Sequence, residues 1–171
     1  MTIVRIGERT GGDGDLVDSL LACHQRIRAF LELGLRAGQG GEPDQVIDAC
    51  RRIERYFREA MPLHVADEEE SILPRLRGRA AAVDGALATM HEQHAAHEVG
   101  LRALIAAASA LAAAPDRPGA RARLVEAAAE LEAALRPHLE LEEAIIVPAI
   151  RQLLSAGELA DIAREMRARR T

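Results

Sequence analysis

The chain of 171 residues contains no lysine and no tryptophan, one tyrosine and two phenylalanines. Its basic residues are therefore all arginine, 22 of them against 27 acids, for a net charge of -5. That balance gives no electrostatic case for nucleic acid, and so few aromatics leave little for bases to stack on. Two cysteines, Cys23 and Cys50, are too few for a disulfide framework and suit a reducing compartment. The apolar stretches around Leu104 to Ala114 are short and alanine-rich, so no membrane span is expected. The opening MTIVRIGERTGGDGD has no apolar signal core. The expected location is the cytoplasm, with neither nucleic acid nor membrane as partner.

Runs of alternating β-branched residues are missing too. Alanine, leucine, glutamate and arginine dominate, and all favour helix. Apolar residues recur at helical spacing in four long stretches. The first follows GGDGD and ends at AGQGGEP. The second runs from Pro43-Asp44 to about Gly78. The third carries Leu87, Met90, His94, His97, Leu101, Leu104 and Leu111. After the loop APDRPG, the fourth runs from Arg121 to Leu154. SAGE then opens a short fifth helix with a capping-box pattern at Ser155 and Glu158. The expected fold is all-α: an up-down-up-down four-helix bundle with a short C-terminal fifth helix over residues 15–171, preceded by a flexible or extended segment, 1–14. Pro62 and Pro137 lie inside helical stretches, where each removes a hydrogen bond and is expected to bend its helix. The arginine-rich end, REMRARRT, is either solvated or docked on a partner.

What the chain does have is a sentence written twice. Residues 64–74 read HVADEEESILP and residues 138–148 read HLELEEAIIVP. Histidine, the Glu-Glu pair, isoleucine and proline recur 74 residues apart. Positions i and i+4 share a helix face, so His64 with Glu68, and His138 with Glu142, each point an imidazole and a carboxylate at one interior spot. Asp67, Glu69, Glu70, Glu140 and Glu143 fall on other azimuths and are expected at the rim or in solvent. Two buried carboxylates facing each other need raised pKa values or a cation between them.

The other two helices offer His24, and His91, His94 and His97. Aligning the halves so that His24 falls on His94 also matches Leu20 to Met90, Val17 to Leu87 and Leu31 to Leu101. That selects His94. His97 is either a hydrogen-bonded core histidine or a further ligand, and His91 belongs to the rim. The candidate metal ligands are thus His24, His64, Glu68, His94, His138 and Glu142. Six donors exceed one tetrahedral zinc site and suit two ions sharing two carboxylates. Imidazole with carboxylate favours iron, manganese or zinc over a thiolate-type metal. HEQH is one residue short of the zinc-protease HExxH, and His-x-x-x-Glu is not the Glu-x-x-His of ferritin-like sites. Cys23 is expected to pack, turned away from His24, and Tyr56 to be structural.

His24, then HVADE, then His94, then HLELE resembles the hemerythrin-like, HHE cation-binding domain over about Asp15 to Arg169. The resemblance implies a bundle holding a non-haem di-iron centre. His24 and His64 would serve one iron, and His94 and His138 the other. Glu68 and Glu142 would bridge them, together with an oxo or hydroxo group. Iron is expected ahead of manganese or zinc. The oxygen-carrying members have His-x-x-x-His on the third helix and an aspartate on the fourth; here Met90 and Glu142 stand at those positions. Fewer histidines leave more open coordination, which favours redox chemistry on dioxygen, hydrogen peroxide or nitric oxide over oxygen carriage. A peroxide-decomposing activity is the enzyme form of this expectation. A non-catalytic iron or oxygen sensor, or an iron-handling protein, is the alternative.

Overall fold

The computed structural model describes residues 13–171, which form five helices joined by short turns, with no strand among the described residues. Helix α1 is Asp13–Gln39. Its start lies inside the segment expected to be flexible or extended. Residues 1–12 lie outside the described residues. Helix α2 is continuous over 43–76, α3 is Ala81–Ala113, α4 is continuous over 120–153 and α5 is Ala156–Ala168. Each break has a local cause. Gly41, Gly78 and Gly119 adopt positive φ just before α2, α3 and α4, a conformation that other residues seldom take. Pro43 occupies the first turn of α2. Ser155 and Glu158 close a reciprocal capping box on α5.

Helix α1 packs on α2 and α4, and α3 packs on the same two, so the four long helices close a ring. Neighbours meet in opposite order along the chain. His24 lies near His64 while Phe30 stacks on Tyr56, and Gln93 meets His138 while His97 meets Ala134. By length and composition alone α3 is long and apolar enough to cross a membrane, a test that the core helix of a soluble protein also passes. Alanine supplies much of its apolar character; its Val83, Leu87, Met90, Leu104 and Leu111 are buried against the other helices.

Three π-helical turns interrupt the long helices: Tyr56–Ala60, Asp67–Ile72 and Glu142–Ile146. Each ends two residues before a proline. The N–H groups of Met61, Leu73 and Val147 reach five residues back, to the carbonyls of Tyr56, Glu68 and Glu142, and Pro62, Pro74 and Pro148 follow. The wider turn relieves the clash between a proline ring and the carbonyl four residues earlier. Pro137 behaves differently and sits within regular α-helix, Ala120–Leu141. It leaves the Ala133 carbonyl without its usual donor, and His97 donates to the next carbonyl, Ala134, at 3.2 Å.

The core is split in two. One apolar layer includes Ile27, Leu31, Ile53, Phe57, Leu104, Leu131 and Leu135. The other includes Leu16, Leu20, Ile72, Leu87, Met90, Ile146 and Ile150. Between them lie the buried polar residues His24, His64, Glu68, His138 and Glu142. Helix α5 caps the second layer through Leu159 and Ile162.

Candidate metal centre

Each helix of the ring brings one imidazole to the polar layer, and the two π turns bring the carboxylates. His64 and Glu68 are 3.0 Å apart, Nε2 to Oε1, within α2. Glu68 Oε2 lies 3.1 Å from His94 Nε2 on α3. His24 Nε2 lies 3.0 Å from Glu142 Oε2, and His138 Nε2 lies 3.8 Å from the same oxygen. The rings pair across helices, His24 with His64 at 5.5 Å and His94 with His138 at 4.7 Å between centroids. The structure thus gathers all six predicted residues into one cluster. Two sets of converging donors result: His24, His64, Glu68 and Glu142, and Glu68, His94 and His138.

These contacts are close, yet they are not hydrogen bonds. His24 Nε2, His64 Nε2, His94 Nε2 and all four oxygens of Glu68 and Glu142 are buried without a hydrogen-bond partner. Buried polar atoms left unpaired are costly, and native proteins rarely keep them. Donors that approach to about 3 Å without aiming at each other suit a shared cation: two atoms each about 2.1 Å from a metal, at right angles, are about 3 Å apart. The donor set fits a cation on this ground.

The opposite edge of three of the imidazoles is held by a neighbour that the sequence did not mark for the site. Glu143 accepts from His24 Nδ1 at 2.9 Å, and Glu69 from His94 Nδ1 at 2.7 Å. The Gln93 carbonyl accepts from His138 Nδ1 at 3.0 Å. Such bonds put the proton on Nδ1 and leave the inward Nε2 free to ligate. Glu69 and Glu143, expected at the rim or in solvent, are 29% and 34% exposed and turn their carboxylates onto the histidines. The pattern follows the internal repeat. The second Glu of each phrase holds the first histidine of the other half, and Gln93, the residue before His94, holds His138.

The remaining predicted positions fall outside the cluster. His91 is 77% exposed and 3.3 Å from Glu69. His97 is buried, with its ring edge-on to His138 at 5.1 Å and its Nδ1 unpartnered. Met90, at the position of the missing third-helix histidine, is fully buried in the apolar layer. Asp67, expected at the rim, is buried and paired with Arg169 and Arg170. Tyr56 stacks on Phe30 at 4.2 Å, and burial, aided by Cys23, pushes its hydroxyl up to about 12.

Without metal the layer is electrostatically divided. Burial would raise the Glu68 carboxyl, but His64 and His94 beside it hold it well below its usual range. Glu142 goes the other way: burial, then the charge of Glu68, pushes it up to about 7. Burial disfavours charge on His24, yet Glu142 and Glu143 raise it overall; His94 is raised likewise by Glu68 and Glu69. His138 is pushed down to about 3 by burial, and the neighbouring His94 and His97 add to this.

A family model, the hemerythrin HHE cation-binding domain, matches residues 15–150 and, in a second overlapping match, 86–169. The chain belongs to the hemerythrin HHE family. No curated protein matches it. In this hemerythrin-like domain the second match spans α3 to α5 and includes only the second copy of the repeated phrase. A His/Glu cluster suited to metal is thus found within a cation-binding family.

Proposed function

We propose that this hemerythrin-like protein is an up-down-up-down four-helix bundle that holds two iron ions and binds and reduces a small oxidant: hydrogen peroxide, dioxygen or nitric oxide. The observation that carries the reading is the set of buried, unpartnered donor atoms on His24, His64, Glu68, His94 and Glu142, completed by His138. Six donors in two sets that share Glu68 suit two cations, and imidazole with carboxylate favours iron ahead of manganese or zinc. When bound, such ions supply open coordination positions and exchange electrons with the oxidant.

The chain's own residues prepare that chemistry. Glu68 and Glu142 bring negative charge into an apolar surround, where it attracts cations most strongly. Glu143, Glu69 and Gln93 orient three of the four imidazoles, His24, His94 and His138. The apolar layers on either side limit water around the site. No side chain needs to act as a nucleophile. The cytoplasm is the compartment this reading assumes.

The test is dioxygen evolution from hydrogen peroxide by the iron-reconstituted chain, with a metal count and an optical spectrum on the same sample. Two irons per chain, a coloured protein and turnover lost in Glu68→Ala and Glu142→Ala are expected. A colourless, zinc-loaded protein, or turnover unchanged in both variants, would overturn the redox reading. Iron binding without turnover of peroxide, dioxygen or nitric oxide would favour a sensor or iron-handling role.

A further inference from the structure

The two copies of the repeated phrase agree at the histidine and at both glutamates, so the places where they differ need another cause. Three polar residues of the first copy have apolar counterparts in the second: Leu141 stands for Asp67, Ala144 for Glu70 and Ile145 for Ser71. All three are held by the last two arginines of the chain. Arg169 reaches Asp67 at 3.0 Å, Glu70 at 3.1 Å and the Ser71 hydroxyl at 2.7 Å. Arg170 takes both oxygens of Asp67, at 3.2 and 2.5 Å. Asp67 and Ser71 are buried. In the second copy Leu141 and Ile145 pack instead on the apolar layer that α5 caps.

The arginines grip the π turn that carries Glu68. Asp67 opens that turn and Ser71 lies near its end, so the two contacts bracket Glu68 in the chain. A π turn is a rare departure from α-helix. Pro74 favours it from within, and the arginines clamp it from outside. Glu68 has no anchor of its own, because both its oxygens are buried without a hydrogen-bond partner. Its direction is therefore set by the backbone beneath it. A guanidinium fork fixes a carboxylate in direction as well as place, so the clamp on Asp67 is a stiff one. Glu68 is also the donor common to both converging sets, so fixing this turn bears on the whole centre.

We infer that Arg169 and Arg170 are positioning residues for the metal centre. Through Asp67 and Ser71 they fix the turn beneath Glu68, so the C-terminal helix governs how long the centre keeps its cations. This rests on the metal-binding reading above and adds to it a control of metal retention from outside the buried layer.

The test uses the full chain loaded with cobalt(II), a coloured and redox-stable probe, and challenged with excess chelator. Arg169→Gln and Arg170→Gln each leave Asp67 one arginine, so the fold is kept. Each releases cobalt about tenfold faster than wild type and shifts the absorption band of the bound ion. Arg79→Gln is the control. It cuts another tether of α5, to Glu158 and to the Leu153 carbonyl, where α4 gives way to α5. That change costs stability without touching the turn under Glu68, and its release rate and band match wild type. Release at the wild-type rate in both arginine variants, an unchanged band, or an equal acceleration in Arg79→Gln would each overturn the inference. Wild type that binds no cobalt would overturn the metal reading itself, and this inference with it.

Discussion

Glu142 Oε2 and His24 Nε2 lie 3.0 Å apart in the fully buried layer, and neither atom has a hydrogen-bond partner. Glu68 stands in the same relation to His64 and His94. Because Glu68 belongs to both donor sets, it is the residue whose loss cannot be absorbed by the other side. Glu68→Ala is expected to drop bound iron from two equivalents to less than one, counted by elemental analysis after anaerobic reconstitution. The iron-dependent rise in melting temperature should vanish with it, since metal affinity and folding are linked.

Glu142 gives a pH signature in the metal-free chain. Its folded pKa is raised to about 7 from an ordinary 4.5. A raised carboxyl contributes stability that is fully present below about pH 4.5 and is lost as pH rises through about 7. Glutamine mimics the protonated acid at every pH. Metal-free Glu142→Gln should therefore gain on metal-free wild type as pH climbs from 4.5 to 7.5, read as the difference in melting temperature, and the gain should level off above. A difference independent of pH would show that Glu142 is not titrating in this window. The same variant should bind less metal, so the substitution trades function for stability of the empty bundle.

Four of the six inward donors could be read from the sequence because His64 with Glu68, and His138 with Glu142, lie at helical spacing in a phrase that recurs; His24 and His94 followed from aligning the two halves. Glu69 and Glu143 could not be placed this way. Their partners lie on a neighbouring helix, and a carboxylate about a third exposed looks in sequence like part of a solvated face. A signal was nevertheless present. Glu69 recurs as Glu143, whereas Glu70 becomes Ala144, and the repeat keeps only the acids that touch a histidine. The π turns were hidden for a similar reason. Pro62 and Pro137 drew attention as interior prolines, yet the π turns under Glu68 and Glu142 end two residues before Pro74 and Pro148, the last letter of each phrase. The helix boundaries were legible because glycines and prolines mark them.

The C-terminal helix was the least legible element, since REMRARRT gives no hint of where it binds. It binds back on the segment that carries Glu68. Arg170 reaches Asp67 at 2.5 Å, and Arg169 contacts Asp67 at 3.0 Å and the Ser71 hydroxyl at 2.7 Å. Arg75 holds Glu165, and Arg79 holds Glu158, further along. Asp67 is 1% exposed, so removing it leaves two guanidiniums facing a buried gap. A fully buried pair broken in this way costs about 3–5 kcal/mol; with the arginines still partly in water, Asp67→Ala should cost roughly 2–3 kcal/mol. Denaturant unfolding should show that loss, whereas exposed pairs such as Glu98–Arg102 should show less than about 0.5 kcal/mol on the same measurement.

Two glycines in helices should respond in opposite directions to the same substitution. Gly38 lies where the end of α1 meets the start of α4. A Cβ there would stand 2.5 Å from Val125 Cγ2 and 2.8 Å from the Arg121 carbonyl oxygen. Backbone on the far side cannot yield as a side chain can, so the helices must part, and the Arg121 hydrogen bond to the Ala37 carbonyl is strained with them. Gly38→Ala should lose about 1–3 kcal/mol despite the better helix propensity of alanine. Gly85 is exposed in the first turns of α3, and a Cβ there meets nothing within 4 Å. Gly85→Ala should gain up to about 1 kcal/mol, because only the entropy of the unfolded glycine changes. At about 2–4 °C per kcal/mol for a chain of this size, the two melting temperatures should fall on opposite sides of wild type. Gly38→Ala at or above wild type would mean that α1 and α4 do not approach as closely as this at that end of the bundle.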